Sequence, residues 1–502
     1  MGKTLDWNAA ALAVKTLTAA WQADAPGGAV IGFDANGIRF AQAGGLENLA
    51  TRSPFTCRSV VRYASVTKHA FAAMVLSHPD AIGLEDPLGR HLPELREPLA
   101  SVTVGQALDM SGGLPDTREC LTLLGLSVFT ETRAPALFDY LCRQTRLNYA
   151  AGTEVSYSNT GYRLVEAALA RKGLLFHAFI RAAGWQAQAV LDAPEGWNDP
   201  VEGLMPGYWH DGTGWQLSAA GLHISASGSM TGSAESLMHW LQALMAGEGR
   251  FSGLLERLSQ PRRLADGRTT GYGLGLRQTW LGDRTFIGHG GSHPGYKTYF
   301  LLDPEAGTGF VIVSNREDTN GYKIALEAMA ALNGLPLPTA STALVDGLYV
   351  TEQGPWWIAV KGSTVTWLDA DESVYEDGDG WVNSRSASSP MRLRMEGSAI
   401  VGQVGHVPRR FLPADITACA NDLSGRWENG EGASFDIEEG VLVMGIGPVR
   451  QRMPLQPLGA GRFLFTLKDG PWTKRVCLHR LGDHHVELVL SRARMIEYRR
   501  RR

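Results

Sequence analysis

The feature that most constrains this chain is a change of pattern at Gly334. Upstream, helical and strand patterns alternate; downstream, after the proline-containing stretch LPLPTAST, helical periodicity disappears. A chain of 502 residues also exceeds what one hydrophobic core usually organises. The expectation is therefore a mixed α/β unit over residues 1–335, followed by antiparallel β structure. Short alternating runs such as WWIAVKG, STVTWL, RLRMEG, VLVMGIG and RFLFTL, with turn residues between them, fit small barrels. DGLYV and LSGRWEN each open such a stretch with a glycine followed two places on by an aromatic. This similarity favours two barrels, 340–418 and 419–502, over a single β-sandwich.

Within the first unit, GGAVIGFDANGIRFAQAGG places two β runs around Asn36-Gly37, a hairpin signal. Ala64 to Leu76 changes to a compact helical pattern with Phe71, Met74 and Val75 on its buried face. Ser233 to Met245 spaces Leu237, Trp240, Leu241 and Leu244 as an amphipathic surface helix. TFIGHGG, GYKTYFLLD and TGFVIVSN read as an antiparallel meander.

Charge and cysteine usage exclude several functions. A net charge of −4 over this length gives no field to hold nucleic acid or an anionic membrane. The basic ending RARMIEYRRRR reads as a solvated tail. The N-terminal stretch lacks a continuous apolar segment, and no later run approaches membrane-spanning length, so a soluble, cytoplasmic chain is expected. Cys57, Cys120, Cys142, Cys419 and Cys477 are far apart and in no metal-ligand spacing, which suggests reduced, buried thiols.

Three stretches can carry chemistry. RYASVTKHAF puts Ser65 at a helix N-terminus, where free N–H groups and the helix dipole stabilise developing negative charge. Lys68, three residues on, shares its face; if burial keeps that amine neutral, it can take the hydroxyl proton. Alone, the pattern also fits a helix cap followed by a surface lysine. In AGTEVSYSNTGYRL, Tyr157 facing an ammonium would have its phenolate favoured, making it a candidate base or relay. Asn159 offers a donor and an acceptor to a substrate amide. In IGHGGSHPGYKTYF, the glycines after His289 let a substrate backbone approach and an N–H point outward, as an oxyanion hole requires. His289 and His293 lack the further ligands a metal would need.

In order and with their flanks, LEDPLGRHLPEL, VTVGQALDMSGGLP and GYGLGL among them, these motifs resemble the serine β-lactamase and penicillin-binding-protein superfamily over residues 10–330. Tyr-x-Asn resembles the class C branch, and His-x-Gly its peptidase and esterase relatives. With two β-barrels behind it, the chain resembles the bacterial D-aminopeptidases. That resemblance implies a serine β-lactamase-like α/β (α+β) catalytic domain carrying an antiparallel sheet. It also implies release of N-terminal D-amino acids from a small peptide or amino-acid amide without cofactor or metal. Catalysis would fall to Ser65, Lys68, Tyr157 and His289, with the oxyanion on the N–H groups of Ser65 and Ser292. Asn159 would bind the substrate, and a last-barrel loop would supply an acid for its amine.

Asp469 in RFLFTLKDGPWTKRV matches that acid best, though Asp-Gly is equally a hairpin turn. Histidine in place of the usual third-motif lysine removes a fixed cation and lowers the expectation of carboxypeptidase or β-lactamase activity. A D-amino-acid amidase or short-chain esterase shares the mechanism, and a penicillin-binding sensor would acylate without turnover. The barrels could shield the cleft or pair protomers into a homodimer.

Overall fold

The computed structural model describes residues 5–417 and 423–501. The expected boundary at 418/419 and Cys419 lie outside the described residues. A six-stranded antiparallel sheet organises the first 335 residues. Its meander is Arg277–Leu281, Arg284–His293, Tyr296–Asp303 and Thr308–Ser314; the N-terminal hairpin, Gly28–Asp34 and Gly37–Gly44, completes it. The hairpin joins through Gly28–Asp34, which pairs with Thr308–Ser314 in the register Ile31↔Val311.

Helices Trp7–Leu17 and Gly321–Asn333 cover one face of this sheet, packing Val14, Ile324 and Met329 against Val30, Leu301 and Ile312. The second of them stops at Gly334, whose φ of +59° is the left-handed conformation a glycine enters without a Cβ clash. On the other face lies helix Thr67–Leu76, whose burial goes beyond the single face of Phe71, Met74 and Val75 expected for it. All ten of its residues are buried, including Lys68 and His69. Phe300 of the sheet meets His69 on one side, while Tyr162 and Phe176 of the helical layer meet Phe71 on the other. Helix Ala234–Ala246 is capped by Ser233 and buries Trp240, whose indole N–H donates to His69 Nε2 at 2.8 Å.

Both C-terminal units are nearly closed nine-stranded barrels of one topology. In each, the opening strand pairs with the last strand, Gly347–Val350 with Val407–Pro413 and Gly425–Glu428 with Ile496–Arg500. Each stays unpaired only between its fourth and fifth strands. Tyr349 donates to the carbonyl of Val345, and Trp427 to that of Leu423, the same bond four residues back in both barrels.

The basic ending is not a solvated tail. Ile496–Arg500 is an internal strand, and Arg494 before it is buried against Glu154. It closes a barrel because Ile496 and Tyr498 alternate inward. Cys120 and Cys477 are buried, with Cys477 pushed up to about 12 by burial, whereas Cys57 and Cys142 are half-buried. Among the described residues no helix is long and apolar enough to cross a membrane.

Candidate active site

Ser65 sits in a single 3-10 turn, Ala64–Val66, that runs directly into helix Thr67–Leu76. Ala64 holds a φ of +51°, a strained conformation for an alanine. The surroundings impose it: Tyr63 N–H is bound to the Met230 carbonyl at 2.8 Å, and Thr67 Oγ1 to that of Ala64 at 2.6 Å. Strand Arg284–His293 runs beside this turn. A Cβ on Gly291 would lie 2.0 Å from the Tyr63 carbonyl oxygen, so only glycine permits the approach. Ser292 pairs in register with Lys297, which donates to its hydroxyl at 2.6 Å and is ion-paired to Glu317.

Lys68 Nζ donates to Ser65 Oγ at 3.2 Å, to Asn159 Oδ1 at 2.7 Å and to the Ser227 carbonyl at 2.7 Å. Three acceptors match its three protons, yet burial drives the amine well below its ordinary value. Asp116 opposes that shift, while Arg492 and Arg277 add to it. Asp116 accepts both the backbone N–H and the side-chain amide of Asn159 at 2.8 Å each. Asn159 is thus held with its oxygen toward Lys68, leaving one amide proton toward the cleft.

Tyr157 lies with its ring 4.9 Å from Lys68 Nζ, and its buried hydroxyl has no well-formed hydrogen bond. The sequence-based expectation of a favoured phenolate does not hold. Burial pushes the phenol above its usual value, and the pull of Ser65, Arg277 and Arg492 offsets this only in part. Beside Ser65 the structure therefore sets an easily deprotonated amine and a persistent phenol.

His289 stands behind the cleft and does not line it. It is wholly buried; its Nδ1 faces the Gly290 carbonyl at 2.6 Å, and its Nε2 meets the Tyr272 hydroxyl at 2.9 Å. A carbonyl only accepts, so Nδ1 carries the proton and Nε2 accepts from Tyr272. Burial, with Arg277 and Lys68 nearby, holds this histidine well below 6.5 and therefore neutral.

The cleft in front of Ser65 has a volume of about 690 Å³ and is lined by the first 335 residues and both barrels. Asp469, at the tip of hairpin Arg462–Asp469 and Trp472–Gly482, lies on its wall. Its carboxylate accepts from Val128 N–H at 2.6 Å and from the Ser127 hydroxyl at 3.1 Å. On the opposite rim Trp472 Nε1 donates to Glu317 at 3.0 Å, so the hairpin tip bridges the mouth of the cleft.

Several participants escape sequence reasoning. Asp116 carries only a helix N-cap signal, which it also satisfies. Tyr272 and Arg277 lie in and just after the GYGLGL run. Arg492 belongs to the basic ending, and its guanidinium covers the Tyr157 ring at 4.7 Å. The buried carboxylate of Glu119 pins that segment by accepting the N–H groups of Arg492 and Ala493. Arg118 stacks on Trp472 at 3.8 Å. Among the described residues, none of Arg118, Arg277 and Arg492 forms an ion pair, which leaves three guanidinium groups facing the cleft.

Comparison with known proteins bears on this arrangement. A family model described as Beta-lactamase matches residues 13–333. A D-aminopeptidase of Brucella anthropi is 25% identical over 392 residues, covering 74% of this chain and 70% of the relative. A D-aminopeptidase of Brucella melitensis is 25% identical over 398 residues, with the same shares covered. Among solved structures, an octameric penicillin-binding protein homologue from Pyrococcus abyssi superposes with a TM-score of 0.57 at 16% identity, over 99% of this chain and 100% of that one. The D-amino acid amidase from Ochrobactrum anthropi SV3 complexed with D-phenylalanine superposes with a TM-score of 0.52 at 20% identity, over 65% and 99%. These two show the fold.

Proposed function

Since this chain belongs to the beta-lactamase family, we propose that it is a D-stereospecific serine hydrolase releasing N-terminal D-amino acids from peptides, amides or esters through an acyl-enzyme on Ser65. The observation that carries the reading is the 3.2 Å contact between the depressed Lys68 amine and Ser65 Oγ. In this scheme neutral Lys68 takes the Ser65 proton as the hydroxyl attacks the substrate carbonyl. The N–H groups of Ser65 and Ser292 receive the oxyanion, held in place by the close approach of Gly291 to Tyr63. Tyr157, a phenol at neutral pH, hands its proton to the leaving amine and is reprotonated from Lys68. Water then attacks the acyl carbonyl as Lys68 takes its proton, the bond to Ser65 Oγ breaks, Lys68 returns that proton to the serine, and the free D-amino acid leaves. Asn159 orients the acyl group with its remaining amide proton, and His289 supports the oxyanion strand from behind. Asp469 faces the substrate's amine.

The two barrels, 340–418 and 419–502, wall the cleft and restrict entry to chain ends. A soluble, cytoplasmic homodimer acting on small peptides or amino-acid amides fits this reading. Ser65→Ala is expected to abolish turnover of D-alanine p-nitroanilide with folding intact; retained turnover overturns the assignment. The hydrogen bonds already made by Asp469 favour a second reading, an amidase or esterase indifferent to a free amine. Equal rates on free and acetyl-blocked substrates would select it.

A further inference from the structure

The cleft adjoins a second chamber of about 520 Å³, formed between helix Gly321–Asn333 and the first barrel. Arg277, Tyr299, Asn320, Tyr322 and Glu372 line both spaces. The neck between them is made of side chains with partners on either hand. Arg277 donates to Ser388 on the cleft side at 3.2 Å, and Glu372 accepts from Ser386 on the chamber side at 3.0 Å. Arg277 and Glu372 make no ion pair with each other, so the neck is not sealed by a salt bridge.

The hairpin tip spans the cleft, tied to Val128 through Asp469 and to Glu317 through Trp472. For a chain end seated beneath that bridge, the chamber is the adjoining space, reached across Arg277 and Glu372. The chamber wall carries donors and acceptors together, Gln278, Lys323, Glu327 and Arg385, with the rings of Tyr322 and Tyr375 between them. Peptide groups require such a mixed wall, because each residue brings one donor and one acceptor.

Resting on the aminopeptidase reading above, we propose that this chamber is a leaving-group subsite, and that the substrate is an oligopeptide whose D-residue enters the cleft while the rest threads past Arg277 and Glu372. A D-amino acid amide would leave the chamber unused, so binding energy from the remote residues is what separates the two substrate classes.

The test uses the full chain. With Ser65→Ala protein, calorimetric titration should show D-Ala-Gly-Gly-Gly binding at least about tenfold more tightly than D-alaninamide. Ser373→Trp, which fills the chamber from an exposed barrel position, and Arg385→Ala, which removes part of its wall, should each erase that advantage. Equal affinity for the two ligands, or an advantage that both variants retain, overturns the proposal. Turnover of the same ligands by the protein with Ser65 intact tests the underlying reading separately. Hydrolysis of neither would overturn the aminopeptidase assignment, while length-dependent binding erased by the variants would still establish the subsite.

Discussion

Arg494 Nη1 lies 2.6 Å from Glu154 Oε1, and both side chains are almost wholly out of water. The other Glu154 oxygen takes Arg409 at 3.2 Å, so one carboxylate just before Tyr157 joins the catalytic unit to both barrels. Glu154→Ala strands two buried guanidinium groups and is expected to cost about 3–5 kcal/mol. Urea unfolding followed by tryptophan fluorescence measures this. A loss below about 1 kcal/mol would rank the pair with exposed salt bridges.

The pH profile follows from the two groups beside Ser65. Lys68 acts as a base only when neutral, and burial sets its amine well below 10.5. Turnover should therefore rise with pH through that lowered value and level off, then fall only as the raised Tyr157 phenol ionises. Arg492 lowers both values, so Arg492→Ala should move both limbs of the kcat/KM profile to higher pH. Opposite movement of either limb would refute the electrostatic account. Stability shares the sign. Between the folded and unfolded values of Lys68 only the unfolded chain binds the proton, so folding strengthens as pH rises there.

The order of three motifs and the resemblance of their flanks to the serine β-lactamase superfamily singled out Ser65, Lys68, Tyr157 and Asn159; the spacing of each alone also fitted a helix cap or an exposed turn. The last meander was legible because its strands are neighbours in sequence. What stayed hidden depends on distant partners. Nothing local says that Gly28–Asp34 pairs with Thr308–Ser314, that Asp116 clamps Asn159, or that Arg492 covers Tyr157. The full burial of the Lys68 helix was hidden too. Its lysine and histidine suggest a wet face, but Asn159, the Ser227 carbonyl and Trp240 satisfy them inside.

Tyr272 bonds His289 Nε2, and in the proposed scheme it is a positioning residue that acts through the imidazole. Tyr272→Phe leaves His289 Nε2 a buried acceptor without its donor, at a cost of about 1–3 kcal/mol in stability. It should also lower kcat by about tenfold, roughly 1.4 kcal/mol on the barrier, with KM little changed. Because His289 is held neutral, the activity profile should show no ionisation near pH 6.5 in either protein. A step there that vanishes in His289→Gln would show that the imidazole titrates in this range and would overturn its neutral, buried role.

Asp469 has two possible duties, and its geometry separates them. Its Oδ1 holds both Val128 N–H and the Ser127 hydroxyl, bonds that an amide oxygen can keep in large part. Asp469→Asn should therefore leave the hairpin docked, with the melting temperature little changed, while removing the charge that attracts an amine. Arg118, stacked beside it on Trp472, already opposes that attraction, so the expected effect is moderate. Preference for D-alanine p-nitroanilide over its N-acetyl derivative should shrink by about tenfold, or roughly 1.4 kcal/mol. If the preference is unchanged, Asp469 is a tether between hairpin and cleft wall, and selection of the free amine must come from elsewhere in the cleft.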